Sequence, residues 1–299
     1  MESASQTADD GKLVSALARG VQILRCFTAD APVLSARELI AATGLPKPTF
    51  FRLAATLCAA QLLRHDQAAG TFMAAPGLLT LASSLWARIH VRQLAFGQMQ
   101  ALADRVRGQV SLALGARLDL VFVELAQSRE CATFRPAMGA HISLTRTATG
   151  RAYLAALPQD EAEHYAAGVR AADAAQGQWL AERLHEARRD LRQRGFCISR
   201  GDLHRELQSV AVPLRSATEG EIYVFTCTVP VFELAADQIE GDIGPRLAAL
   251  ARSTAAALGH GPDNDPFFPL RPLAGDREGK GSEGEMEKSA NPRIRELHG

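Results

Sequence analysis

Residues 35–66 read SARELIAATGLPKPTFFRLAATLCAAQLLRHD, and this stretch decides the fold. Ser35-Ala-Arg-Glu38 has the capping-box pattern: the serine hydroxyl takes a free amide of the first turn, and the glutamate reaches back to the serine amide. A short helix over residues 37–42 follows. Thr43-Gly44-Leu45 stops it, with Gly44 suited to a left-handed C-cap. Pro46 and Pro48 fit only the first turn of a following helix, where a missing amide is not needed. In that second helix Phe50, Leu53, Ala54 and Leu57 share an inward face, which leaves Lys47, Thr49, Phe51, Arg52 and Thr56 on the others. Residues 62–65 and 71–73 read as two short strands joined by a loop over 66–70, a hairpin. Upstream, Val14, Leu17, Val21, Leu24 and Phe27 recur at helical spacing. Helix, tight turn, basic helix and hairpin together form the pattern of a winged helix-turn-helix, whose second helix fits a major groove.

The charge distribution agrees. The chain has 299 residues with 33 basic and 33 acidic side chains, so its net charge is zero. Residues 12–90 nevertheless hold eight basic against three acidic side chains, a local +5. Phosphate neutralisation depends on local charge, so a basic module on a neutral remainder is compatible with nucleic acid. Lys47, Thr49 and Arg52 are expected to contact DNA from the second helix, with Ser35 and Phe51 beside them and Arg64 acting from the hairpin.

The stretch from Ala41 to Leu62, followed by GTFMAAPGLLTLA from Gly70, resembles the N-terminal domain of the IclR family of bacterial transcriptional regulators, whose motif reads A-x-x-T-G-L-P-K-S-T-x-x-R-L-L-x-T-L-x-x-x-G-L. Three positions depart from it: Pro48 stands for serine, Phe51 for histidine or tyrosine, and Gln61 for glycine. Phe51 loses a polar contact but can touch a thymine methyl. The resemblance runs from about Gly11 to Gly259 and implies an operator-binding regulator with a dimer contact at the connector.

In that connector, residues 76–108, Leu78, Leu81, Leu85 and Ile89 form one helical stripe, and Met99, Leu102 and Val106 continue a helix after an expected bend near Phe96-Gly97. Such a helix either carries a dimer interface or packs within its own chain. Beyond it, strand patterns at 110–114, 118–125, 196–199, 207–214 and 222–229 mix with helical patterns marked by Leu180, Leu184, Ala187 and Leu191, and by Ile239, Ile243, Leu247, Leu250 and Thr254. Strands and helices that do not alternate strictly predict an α+β domain around an antiparallel sheet, similar to the family's GAF-like effector-binding domain. The expected organisation is a disordered tail at 1–12, a winged helix-turn-helix at 13–75, a linker helix at 76–108, an effector domain at 109–258 and a flexible tail at 259–299, where Phe267, Phe268 and Leu270 could dock locally.

Two segments carry the second match. Thr147-Ala-Thr-Gly-Arg-Ala-Tyr-Leu-Ala155 resembles T-A-x-G-K-A-x-L-A, and residues 194–199, 207–213 and 226–230 align with strands lining the family's small-molecule pocket. The resemblance places Ser199, Ser209, Thr226 and Thr228 where the family uses an acid, a cysteine and two serines. By this reading the pocket keeps hydroxyls and loses the acid and the thiol. Arg146, Ala148 and Thr149 complete the expected site. An arginine pairs with a carboxylate in bidentate fashion, so a small organic acid, aromatic or aliphatic, is the expected effector. The alternative is an Arg146 that points to solvent.

No G-x-G-x-x-G, G-x-x-x-x-G-K-[ST], H-E-x-x-H or G-x-S-x-G is present, and the eight histidines have no metal-ligand spacing. No enzyme activity, cofactor or metal is expected. The alternatives are a GAF-like small-molecule enzyme with an accessory helical module, or an adaptor whose winged helix binds protein. The five cysteines form no C-x-x-C pair, the N-terminus has no apolar signal core, and no apolar run is long enough for a membrane span. A cytoplasmic homodimer or tetramer bound to a double-stranded operator is the expected state.

Overall fold

The computed structural model describes residues 14–116, 118–131, 136–216 and 221–259. The tails expected at 1–12 and 259–299 lie outside these residues except for Gly259, as do Phe267, Phe268 and Leu270.

The N-terminal part contains α1 (Ser15–Leu24), β1 (Val33–Ser35), α2 (Ala36–Thr43), α3 (Lys47–Ala59), β2 (Leu63–Asp66) and β3 (Thr71–Ala74). The capping box forms as read: Glu38 N donates to Ser35 Oγ at 3.3 Å and Ser35 N donates to Glu38 Oε2 at 2.7 Å. The Ser35 amide and the Ser35 hydroxyl, both donating to Glu38 Oε2, hold the Glu38 carboxyl below its ordinary value. Gly44 takes φ 67 at the α2 C-cap. Pro46 stands at the N-cap of α3 rather than inside it, and Pro48 lies in the first turn. The hairpin carries a third strand that the sequence pattern did not reveal, since β1 pairs with β3 through Leu34 and Phe72. Three residues are too few for a period to register. Ile23, Leu39, Leu45, Phe50, Ala54, Leu57, Leu63 and Phe72 make a core of their own.

Helices α4 (Gly77–Arg88) and α5 (His90–Val106) follow. The break falls at Ile89, with φ −79 and ψ 72, and α5 runs straight through the Phe96-Gly97 position where a bend was expected. A Cβ on Gly97 would meet nothing within 4 Å, so no neighbouring group requires a glycine there.

The second part holds β4 (Gln109–Ala116), β5 (Asp119–Gln127), α6 (Ala148–Ala156), α7 (Gln159–Ala172), α8 (Ala174–Arg194), β6 (Cys197–Arg200), β7 (Leu207–Arg215), β8 (Ile222–Pro230) and α9 (Gly244–Ala257), the last entered through a π-helical turn, Ile239–Ile243. The five strands form one antiparallel sheet in the order β5-β4-β8-β7-β6. The α+β class is as expected. Side chains alternate across the sheet. Leu112, Leu114, Val210, Val212, Tyr223 and Phe225 pack under α5 and α9, while Ala113, Cys197, Ala211 and Val224 pack under α6 and α8. Helix α6 lies close to the sheet because Gly115 has no Cβ: one placed there would stand 1.9 Å from the Tyr153 ring.

Candidate DNA-binding face and effector pocket

On α3, buried Phe50, Ala54 and Leu57 anchor the helix, which turns Lys47, Phe51 and Arg52 outward and leaves Thr49 half-buried. No carboxylate among the described residues pairs with Lys47 or Arg52. The helix ends in a Schellman pair, with Leu62 N donating to Leu57 O at 2.9 Å and Gln61 N to Cys58 O at 3.0 Å. Gln61 therefore adopts φ 59, the left-handed conformation for which glycine would be the unstrained choice. Arg64 is exposed on β2 and its guanidinium touches Met73 Sδ, while Asp66 Oδ1 folds the tip of the hairpin by accepting from Ala68 N and Ala69 N. Ser35 stands apart from the α3 face as the α2 cap, and its hydroxyl gives its proton to Glu38 Oε2 at 2.7 Å.

The pocket grows from strand register. Gln109 on β4 lies opposite Thr228 on β8, Thr228 opposite Ser209 on β7, and Ser209 opposite Ser199 on β6. One polar row thus crosses four strands. The next row along the same sheet face is Ser111, Thr226, Ala211 and Cys197, and beyond it the face turns apolar with Ala113 and Val224. The N-terminus of α6 stops over the polar rows. A cavity of about 100 Å³ opens there, and all seven expected residues (Arg146, Ala148, Thr149, Ser199, Ser209, Thr226 and Thr228) line it.

The hydroxyls are linked in pairs across the cavity wall. Thr149 Oγ1 and Thr226 Oγ1 are 2.9 Å apart, as are Ser209 Oγ and Thr228 Oγ1. Each pair shares one proton, so every member keeps a lone pair and each pair keeps a proton for a guest. At the start of α6, Thr147 Oγ1 caps Gly150 N at 2.9 Å. The Ala148 and Thr149 amides have no acceptor among the described residues, which suits a negatively charged group.

Several lining residues were not foreseen: Gln109, Ser111, Phe122, Asp202, Leu203 and His204. The first two carried a usable signal, since they stand two apart on one strand face and match the polar rows. Asp202 carried none. It corrects the reading of a pocket without an acid: its Oδ2 accepts from Ser199 Oγ and from Arg151 Nη2, both at 2.7 Å. Arg151 is 1% exposed and also donates to Ile198 O at 3.2 Å. No cysteine is among the described residues that line the cavity, and the Cys197 thiol sits against the backbone of α6. Cys197 Sγ is 3.6 Å from Ala148 O, and burial pushes it up to about 12, so it stays protonated. Cys227, on the opposite face of the sheet, is likewise pushed up to about 12 by burial. Arg146 is exposed at the mouth, its guanidinium 5.8 Å from the Trp179 ring centre, with the Arg151 and Arg183 guanidiniums at 5.8 and 5.9 Å.

Comparison with known proteins gives one answer for both parts. The family model of the IclR helix-turn-helix domain matches residues 16–67, and that of the bacterial transcriptional regulator IclR C-terminal domain matches residues 84–258. The curated HTH-type transcriptional regulator TsaQ1/TsaQ2 of Comamonas testosteroni is 27% identical over 248 residues, spanning 82% of this chain and 89% of that one. An IclR family transcriptional regulator from Brucella abortus, solved by crystallography, is 36% identical, superposes with a TM-score of 0.73 and covers 85% of this chain and 95% of its own. An IclR homologue from Microbacterium hydrocarbonoxydans, solved in complex with 4-hydroxybenzoate, shares the fold at 22% identity and a TM-score of 0.63, covering 81% of this chain and 99% of its own. Among the described residues no helix is long and apolar enough to cross a membrane. The chain belongs to the IclR family of bacterial transcriptional regulators, which are not enzymes, and joins a helix-turn-helix to an effector-binding domain.

Proposed function

We propose that this regulator binds a double-stranded operator as a homodimer, which can pair further into a tetramer, and that a small organic acid held in the C-terminal cavity changes its affinity for DNA. The observation that carries the reading is the cavity itself: two linked hydroxyl pairs and two free helix amides converge on one space. A carboxylate seats on the Ala148 and Thr149 amides, Ser199, Ser209, Thr226 and Thr228 take its oxygens or a hydroxyl elsewhere on the ligand, and Arg146 closes over the mouth. The 4-hydroxybenzoate complex of the 22% identical relative supports an acid of that class. Control of a catabolic operon follows naturally for such a ligand, and the cytoplasm is where the chromosome lies.

At the DNA, Lys47, Thr49, Phe51 and Arg52 of α3 meet the major groove, and Arg64 meets the backbone beside the hairpin. Ser35 reaches a phosphate only if its hydroxyl turns away from Glu38. Support for the dimer comes from unpartnered apolar faces: Leu17 on α1 is 70% exposed and Leu81 on α4 63%, and α4 buries no residue within the chain. Leu81 and Leu85 stay exposed within the chain, which leaves their stripe available to a partner.

The test is a mobility-shift titration on the promoter upstream of the chain's own gene, with and without a panel of aromatic and aliphatic carboxylates. Specific binding that at least one acid shifts is the expected result. Binding to no promoter fragment, or an affinity that no acid alters, would refute the proposal.

A further inference from the structure

We propose that Asp202 sets the charge of the effector, restricting the pocket to acids that carry a single negative charge. The inference rests on the organic-acid reading above and specifies its ligand. Among the described residues the cavity is lined by three ionisable side chains, Arg146, Asp202 and His204. Behind the wall stands a fourth, Arg151, one of the largest fully buried side chains among the described residues. A bare guanidinium so placed would draw a second carboxylate into the pocket. Asp202 occupies that role from within the chain. Its Oδ2 takes Arg151 Nη2 and Ser199 Oγ at 2.7 Å each, and its side chain is 16% exposed.

The charges then count out simply. Arg151 and Asp202 cancel. His204 faces Glu206 at 3.9 Å. Arg146 is left, with no carboxylate partner among the described residues, and it stands beside the two free amides of α6. One cation and one helix N-terminus suit one carboxylate. The rest of the ligand faces Asp202 Oδ1, which has no partner among the described residues and repels a second anion while accepting a hydroxyl or amide donor.

The proposal is tested with isosteric pairs that differ by one charge: 4-carbamoylbenzoate against terephthalate, and succinamate against succinate. Binding to the full-length protein is measured by calorimetry. The wild-type chain should bind the mono-acid of at least one pair no less than tenfold more tightly than its di-acid. Asp202→Asn, which keeps both hydrogen-bond partners and frees the charge of Arg151, should strengthen di-acid binding and shrink that ratio at least fivefold. Asp202→Glu should preserve the preference. Thermal melting and DNA binding without ligand check that each variant is folded, and Asp202→Ser replaces the Asn variant if that one is not. A wild-type chain that binds a di-acid as tightly as its mono-acid overturns the inference with no variant needed, as does an unchanged ratio in folded Asp202→Asn. If mono-acids and di-acids alike fail to bind, the organic-acid reading itself falls, and this inference with it.

Discussion

Arg92 Nη1 on α5 donates to Glu124 Oε2 on β5 at 2.8 Å, and the same guanidinium lies 4.5 Å over the ring of Trp86 on α4. The contact spans the break at Ile89 and fastens the exposed α4 to the buried α5. Its position depends on a bulge: Leu112 pairs with Glu124 and Ala113 with Phe122, so Val123 is the extra residue. The bulge turns Phe122 into the cavity and Glu124 towards α5. Replacing Glu124 by Gln should cost about 1–3 kcal/mol, because it leaves a mostly buried cation poorly compensated. An Arg92→Met/Glu124→Leu double variant should lose less than the sum of its singles in urea denaturation. Strict additivity would show that the pair carries no coupling.

Gln61 holds φ 59 at the end of α3, where the family motif has glycine. A side chain in that region costs about 1–2 kcal/mol. Gln61→Gly should therefore raise stability by roughly 1 kcal/mol, less than the full strain because glycine loses more freedom on folding. The urea midpoint should rise while the operator affinity stays within twofold.

Lys47 and Arg52 face outward from α3, and Arg64 from β2. Arg52→Ala should weaken operator binding by about 1–3 kcal/mol if the guanidinium reads a base edge, with little change on random DNA. Arg64→Ala should instead weaken specific and random DNA alike and flatten the salt dependence. Gel shifts across a salt series separate the two behaviours, and unchanged affinity in both Lys47→Ala and Arg52→Ala would remove α3 from the interface.

Thr226 and Thr228 supply one hydroxyl to each linked pair of the pocket. Making both valine keeps their shape and takes away two hydrogen-bonding groups. Effector affinity should fall at least tenfold, since groups on the acid and on Thr149 and Ser209 then lose partners, at about 1–3 kcal/mol each. DNA binding without effector should persist. A normal response from the double variant would refute the pocket assignment.

Leu81 and Leu85 on α4 are 63% and 44% exposed. Charged residues at both positions should abolish the dimer without unfolding the chain, because neither side chain belongs to a buried core. Light scattering of Leu81→Glu/Leu85→Lys should give the monomer mass, and affinity for a palindromic operator should drop by orders of magnitude. A dimer of wild-type strength would place the interface elsewhere.

Much of this protein is determined locally, and that part was legible. The Ser35 capping box, the Gly44 turn and the Phe50–Leu57 face of α3 depend on residues within a few positions of one another, and they form as their spacing dictates. So does the left-handed Gly195 that ends α8. The hydroxyls of the pocket could be picked out singly, as matches to a motif. Whether they meet is a matter of register, which side chains on distant strands settle together. Only the pairing of β4, β8, β7 and β6 lines up Gln109, Thr228, Ser209 and Ser199 as one row. Asp202 and Arg151 are 51 positions apart, and no periodicity joins them; the close approach of α6 to the β6 edge does. The break at Ile89 was hidden for the same reason. The stripe of Leu78, Leu81, Leu85 and Ile89 runs on at helical spacing, and the helix divides there because Ile89 is claimed by the core beneath α5 while the leucines before it are left outside that core.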